Sequence, residues 1–99
     1  MEDAYLVDLN NQIYREVKRC KIIRDIYILE EKIRNHESNL IRYYYALKML
    51  FLIKAADIDI SLEHSELWNL EIERQLKETT KNIDTLYALR DSYTNKKVL

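Results

Sequence analysis

The sequence predicts an all-α fold: long amphipathic helices in a small up-down bundle or helical hairpin, assembled as a dimer. Three observations predict it. Not one glycine or proline occurs in the 99 residues, whereas average usage of roughly 7% and 5% predicts about a dozen of the two together. Glycine supplies left-handed turn conformations and proline breaks helices. Their absence therefore makes tight hairpins, phosphate-cradling loops and most β topologies improbable. Apolar residues recur at alternating steps of three and four, the signature of a helix with one buried stripe. Finally, 47% apolar and 33% charged residues with a net charge of −1 are too hydrophobic for disorder and too evenly mixed for a charged tail. The length fits a single domain, residues 1–99, whose folding buries roughly 60–65% of the unfolded surface.

The first helix is expected over residues 4–35. Asp3 is a suitable N-cap, and Glu2 and Asp8 put negative charge near the positive end of the helix dipole. From Ile22 onward, Ile22, Ile26, Leu29, Ile33, His36, Leu40, Tyr43, Leu47 and Leu50 occupy successive a and d positions of a heptad, and all but His36 are apolar. His36 lies within Asn35-His36-Glu37-Ser38-Asn39, whose residues compete for backbone hydrogen bonds. Two readings follow: a turn, with Ser38 or Asn39 capping a second helix over 39–56, or one helix continuing through the cluster. The turn is favoured, because an unbroken helix from Asp3 to Ala56 would be about 80 Å long, more than a small monomer can cover.

A second boundary falls at Asp57-Ile58-Asp59-Ile60-Ser61, which is short, acidic and out of helical step, with Asp59 and Ser61 as candidate caps. A third helix is expected over 62–94. There Ile72, Leu76, Thr79, Ile83, Leu86 and Tyr93 form the inner stripe, and Glu73–Lys77 and Arg74–Glu78 make outer i,i+4 pairs. Asn95 to Leu99 is expected to fray.

Charge is unevenly placed along the chain. Arg15, Lys18, Arg19, Lys21 and Arg24 face only Glu16 in their segment, whereas Asp57, Asp59, Glu63, Glu66, Glu71 and Glu73 lie in a stretch without lysine or arginine. Mutual attraction is expected. In an up-down-up bundle with turns near 37 and 59, the third helix would start beside the basic segment. In a long hairpin, a second subunit would make that contact.

No chemistry-bearing motif is present. Cys20 is the single cysteine, so no intrachain disulfide can form and burial as a small apolar residue is its expected fate. His36 and His64 have no metal-ligand spacing, and no metal or other cofactor is expected. The serines lack a nucleophile elbow, so no catalytic residue is named and no enzymatic activity is expected. The longest apolar stretch, Tyr43 to Ile53, carries Lys48 and is about half the ~20 residues that span a bilayer. No transmembrane helix is expected. The acidic amino terminus shows no signal peptide, which makes an intracellular site the expectation.

The informative signals are surplus apolar and aromatic residues. Arg42-Tyr43-Tyr44-Tyr45 cannot all enter one core, because successive helical residues differ by 100°. Met49-Leu50-Phe51-Leu52-Ile53 likewise presents apolar side chains around more than a full turn. An interface using Tyr43, Tyr44, Leu47, Leu50, Phe51 and Trp68 is expected, either in a homodimer or with an unidentified protein. The alternative is a nucleic-acid binder using Arg15, Lys18, Arg19, Lys21 and Arg24; the net charge weighs against it.

Stretches such as Ile22-Ile23-Arg24-Asp25-Ile26-Tyr27-Ile28-Leu29 and Arg42-Tyr43-Tyr44-Tyr45 resemble the small glycine- and proline-free, isoleucine- and tyrosine-rich proteins of archaeal filamentous viruses of the lipothrixvirus and rudivirus type. The resemblance implies a compact, thermostable, dimeric helical viral protein of unassigned biochemical role, in the host cytoplasm or associated with the virion. It carries over no functional residue. Seven asparagines and the lack of loop prolines depart from the usual thermostable pattern.

Overall fold

The computed structural model describes residues 3–59 and 65–98, and among them the only regular elements are three helices: α1 (Ala4–Asn35), α2 (Asn39–Ala55) and α3 (Ser65–Val98). The fold is all-α. The expectations for Ser61, Glu63 and His64 concern positions outside the described residues. The third helix continues to Val98 instead of ending at 94, because nothing in Asn95 to Lys97 interrupts the backbone ladder in a chain without glycine or proline.

Both described helix boundaries are made without glycine. His36 leaves α1 in an extended conformation, and its Nδ1 accepts from the Ser38 N–H at 3.2 Å. Ser38 is also extended, and its hydroxyl oxygen accepts from the Ile41 N–H at 3.5 Å as the N-cap of α2. The break at 35–39 is therefore real, with His36 as a turn residue. At the other end of α2 the chain forms a Schellman cap: the Asp57 N–H donates to the Lys54 carbonyl and the Ile58 N–H to the Ile53 carbonyl, each at 3.1 Å. Ile53 and Ile58 both enter the core below it. Asp57 occupies the left-handed position with φ 53°, where glycine is normally found. Replacing Asp57 with glycine is expected to raise stability by about 0.5–1 kcal/mol by removing the Cβ clash. A fall in the urea midpoint would instead show that the aspartate side chain holds the turn.

The topology corrects the up-down-up expectation. Arg19 on α1 bonds Gln75 and Thr79 on α3, Asn10 meets Arg90, and the rings of Tyr5 and Tyr93 approach to 4.9 Å. Numbers that rise along α3 meet numbers that fall along α1, so α3 runs antiparallel to α1 and parallel to α2. The residues of α3 bonded to Arg19 are its eleventh and fifteenth, not its first. Length explains this. At 17 residues α2 reaches only the level of Arg19, whereas α1 and α3 have 32 and 34 residues. Only a descending α3 covers the first half of α1, including buried Leu9 and Ile13.

The molecule is consequently long and narrow, 60 × 22 × 20 Å. α1 packs on both other helices, which do not pack along each other. Around the upper half of α1, Ile23, Ile26, Met49, Ile53, Ala56, Ile58 and Ile72 form the core. The lower half is a two-helix seam of Leu9, Ile13 and Cys20 facing the fully buried Thr79 and the half-buried Ile83, Leu86 and Tyr93.

Candidate interaction surface

α2 is the shortest of the described helices and carries the densest outward run of apolar residues, although Val7 and Tyr14 on α1 and Leu70 on α3 are also exposed. Its inner face, Met49, Ile53 and the half-buried Tyr45 and Leu52, packs on α1. A straight helix can turn only one stripe inward, so residues 180° away must point out. Leu40, Tyr43, Tyr44, Leu47, Leu50 and Phe51 do so, with exposures of 78%, 64%, 54%, 49%, 36% and 73%.

This overturns the heptad reading across the turn. Ile22, Ile26, Leu29, Ile33 and His36 lie inward or half-inward on α1, but Leu40, Tyr43, Leu47 and Leu50 face solvent. The three non-helical residues 36–38 reset the helical phase, and the inner face of α2 is built from different positions. Five of the expected interface residues, Tyr43, Tyr44, Leu47, Leu50 and Phe51, thus share one outward face. Trp68 does not join them. It lies one turn before Ile72 on the inner side of α3 and packs, half-buried, against the core. Leu40 extends the stripe, and its place in the heptad series was the signal that could have found it.

Lys48 and Lys54 border this face, whereas Arg42 falls in phase with Met49 on the inner side of the helix; α2 carries no carboxylate, in a chain of net charge −1. Lys48 Nζ stands 5.0 Å from the Tyr44 ring centroid and Lys32 Nζ of α1 stands 5.5 Å from that of Tyr45, attractions between ammonium groups and ring faces. The Tyr45 ring also meets His36 edge-on at 6.3 Å. Beside the stripe, an open groove of about 370 Å³ runs between α1 and α2. Ile28, Leu29, Phe51 and Leu52 line it, with Asp25, Lys32 and Lys48 also on its walls.

Among the described residues, no ion pair joins the basic segment of α1 to the acidic one; Glu63 and the side chain of Glu66 lie outside that description. Arg15, Lys18, Lys21 and Arg24 are exposed, and among the described residues the ion pairs are confined to single helices: Arg34–Glu30, Arg74–Glu71 and Arg74–Glu78. Of the two predicted pairs on α3, Arg74–Glu78 forms at 3.1 Å; Glu73 and Lys77 are not within ion-pair distance. Only Arg19 turns inward, and its partners are neutral: the Ala56 carbonyl at 3.1 Å, Thr79 Oγ1 at 2.9 Å and Gln75 Oε1 at 2.7 Å. Gln75 Nε2 donates in turn to Glu71 at 2.9 Å, so acidic charge reaches Arg19 through an amide. Hydrogen bonds from Arg74 and then Gln75 hold the Glu71 carboxyl below its ordinary pKa. Arg19 is thus a structural bolt across the three-helix end of the molecule. The other four cations step around α1 at every third residue, about 60° apart at each step, and share no single face.

Cys20 is buried on α1. Among the described residues no three histidine, cysteine, aspartate or glutamate side chains come together as a metal site, and no helix is long and apolar enough to cross a membrane. No protein-family model matches the chain, and neither a curated protein nor a solved structure matches it.

Proposed function

We propose that this chain is a non-enzymatic protein–protein interaction module that forms a homodimer through the outward face of α2. The observation that carries the reading is the unbroken apolar stripe Leu40, Tyr43, Tyr44, Leu47, Leu50 and Phe51 on a helix whose opposite side already packs on α1. With large side chains of roughly 150–250 Å² apiece, the exposed fractions amount to on the order of 700 Å² per protomer, close to the ~800 Å² per partner of a standard interface. Monomeric proteins rarely leave a patch of that size open. Inward-turned Arg19 donates across helices to both Gln75 and Thr79, which supports a structural role for these groups. Nucleic acid is the weaker reading, because the cations of α1 are spread around the helix instead of lining one track. The resemblance to archaeal filamentous-virus proteins supplies the setting of the proposal: a viral protein in the host cytoplasm or the virion.

Light scattering at micromolar concentration tests the reading. The native chain is expected to run as a dimer. Leu47→Asp or Phe51→Asp is expected to weaken association at least about thirtyfold, the equivalent of a ~2 kcal/mol hot spot. Both residues are exposed, so far-ultraviolet circular dichroism should be unchanged. A native monomer across that range, or association indifferent to both substitutions, would sink the proposal.

A further inference from the structure

We infer, building on the dimer reading, that the two copies of α2 pair antiparallel about a two-fold axis at Leu47, with Tyr44 of each copy seated beside Phe51 in the α1–α2 groove of the other. Spacing is the first observation. The stripe is symmetric about Leu47: Tyr44 and Leu50 lie three residues to either side, Tyr43 and Phe51 four, Leu40 and Lys54 seven. Antiparallel pairing therefore brings Tyr43 and Tyr44 of one copy level with Phe51 and Leu50 of the other, knob against hole along the whole helix.

Charge bears on the direction at Lys54, the cation that lies within the stripe's face. Parallel pairing would set Lys54 against Lys54, with no carboxylate on α2 to separate them. Antiparallel pairing puts the two copies of Lys54 about 21 Å apart along the axis and brings each level with Leu40 of the second copy, toward the exposed Glu37 that precedes the Ser38 cap. The copies of Lys48 come about 3 Å apart along the axis on one flank, with Asp25 also on the walls of the groove there. The opposed helix dipoles favour the same direction.

The groove gives the contact its anchor. Tyr44, Lys48 and Phe51 share the flank of α2 that borders the groove, and a two-fold axis across an antiparallel pair keeps like flanks on the same side. Tyr44 of the second copy thus arrives next to Phe51, at a groove of about 370 Å³ with Ile28, Leu29 and Leu52 on its walls. That is ample for a phenol ring. Lys32 and Lys48 are within the same walls and can face the ring as cations. A buried aromatic anchor of this kind is where interface energy concentrates. The geometry also leaves the two-helix halves pointing away from each other. Only the three-helix ends overlap.

Single-cysteine variants in a Cys20→Ala background test this by disulfide trapping under mild oxidation, alongside light scattering of the same samples. Leu47→Cys is expected to cross-link to itself. Tyr44→Cys and Phe51→Cys are each expected to stay uncrosslinked alone, because their copies would be about 9 and 12 Å apart along the axis, beyond the ~7 Å Cα separation a disulfide tolerates. Their equimolar mixture is expected to cross-link. Self-cross-linking of Tyr44→Cys or Phe51→Cys to the same extent as the mixture would mean a parallel pair and overturn the inference. A dimer by scattering with no cross-link from Leu47→Cys or the mixture would overturn it while leaving dimerisation standing. A monomer by scattering would overturn the dimer reading itself.

Discussion

Arg19→Met lowers the unfolding free energy by about 2–4 kcal/mol, measured by urea denaturation at fixed protein concentration. The guanidinium is the one group that touches all three parts of the chain at the level where α2 ends: it lies on α1, caps the Ala56 carbonyl, and donates to Thr79 and Gln75 on α3. Methionine keeps the apolar stem and removes the donors. A net contribution of about 1.5–3 kcal/mol for a hydrogen bond to a charged group, plus the cost of leaving the fully buried Thr79 hydroxyl unpaired, sets the size. Arg19→Lys should recover only part of it, since a single ammonium cannot reproduce the planar fork. Thr79→Val in the Arg19→Met background should restore about 1 kcal/mol by removing the orphaned hydroxyl, a coupling that a double-mutant cycle reads directly. A loss below about 1 kcal/mol for Arg19→Met would show that water satisfies these groups equally well.

Ile26→Ala costs about 3–5 kcal/mol, the upper range for truncating a buried isoleucine. Ile26 is fully buried in the cluster where Met49 and Ile53 of α2 meet Ile72 of α3 over α1. A cavity there has walls from three helices, each held by other contacts, and the site cannot collapse to fill it. Ile13→Ala should cost less, about 2 kcal/mol, because Ile13 sits in the two-helix half where neighbours can close in. The measurement that checks both is the urea midpoint at constant slope. Equal losses at the two positions would contradict the division of the molecule into a three-helix and a two-helix half. For a domain of this length a total stability of about 5–15 kcal/mol is ordinary, so Ile26→Ala takes a large share.

Packing and surface share one cause. α2 is too short to cover more than half of α1, and its sequence is apolar nearly all round. Its inner residues complete the core and its outer residues, Leu40 through Phe51, are left facing solvent. The same 17 residues thus hold the fold together and present the interface. Substitutions divide accordingly. Changes at Met49 or Ile53 should appear in stability, and those at Leu47 or Phe51 in association.

The existence and approximate ends of the helices were legible in the sequence, with the break at 35–39 the favoured of two readings. The absence of glycine and proline leaves helix as the main low-cost conformation, and Ser38 marks its own helix start through its side-chain oxygen. The inner stripe of α3, from Ile72 through Tyr93, followed from its spacing alone. Asp57 as the left-handed residue was less apparent, since aspartate adopts that conformation only with help from the surrounding cap. The surplus of apolar residues in 43–53 was also visible, because no helix can point every side of itself at one neighbour.

Which residues are surplus was decided only in three dimensions. The heptad from Ile22 to Leu50 reads as one seam, yet the turn at 36–38 rotates its second half outward, because three non-helical residues do not preserve a 100° phase. Trp68 passed from the surface to the core for the same kind of reason: its neighbour one turn on, Ile72, faces α1. The direction of α3 depended on a comparison of lengths across the whole molecule, a long-range quantity that no local window contains. Charge pattern misled where pairing is short-ranged: Arg74 found Glu71 and Glu78 on its own helix, and Arg19 found neutral partners across the bundle. By itself the sequence determined the helices and an excess of apolar surface. The tertiary structure decided which face of α2 carries that excess, because only packing against α1 determines which side of a helix is the inside.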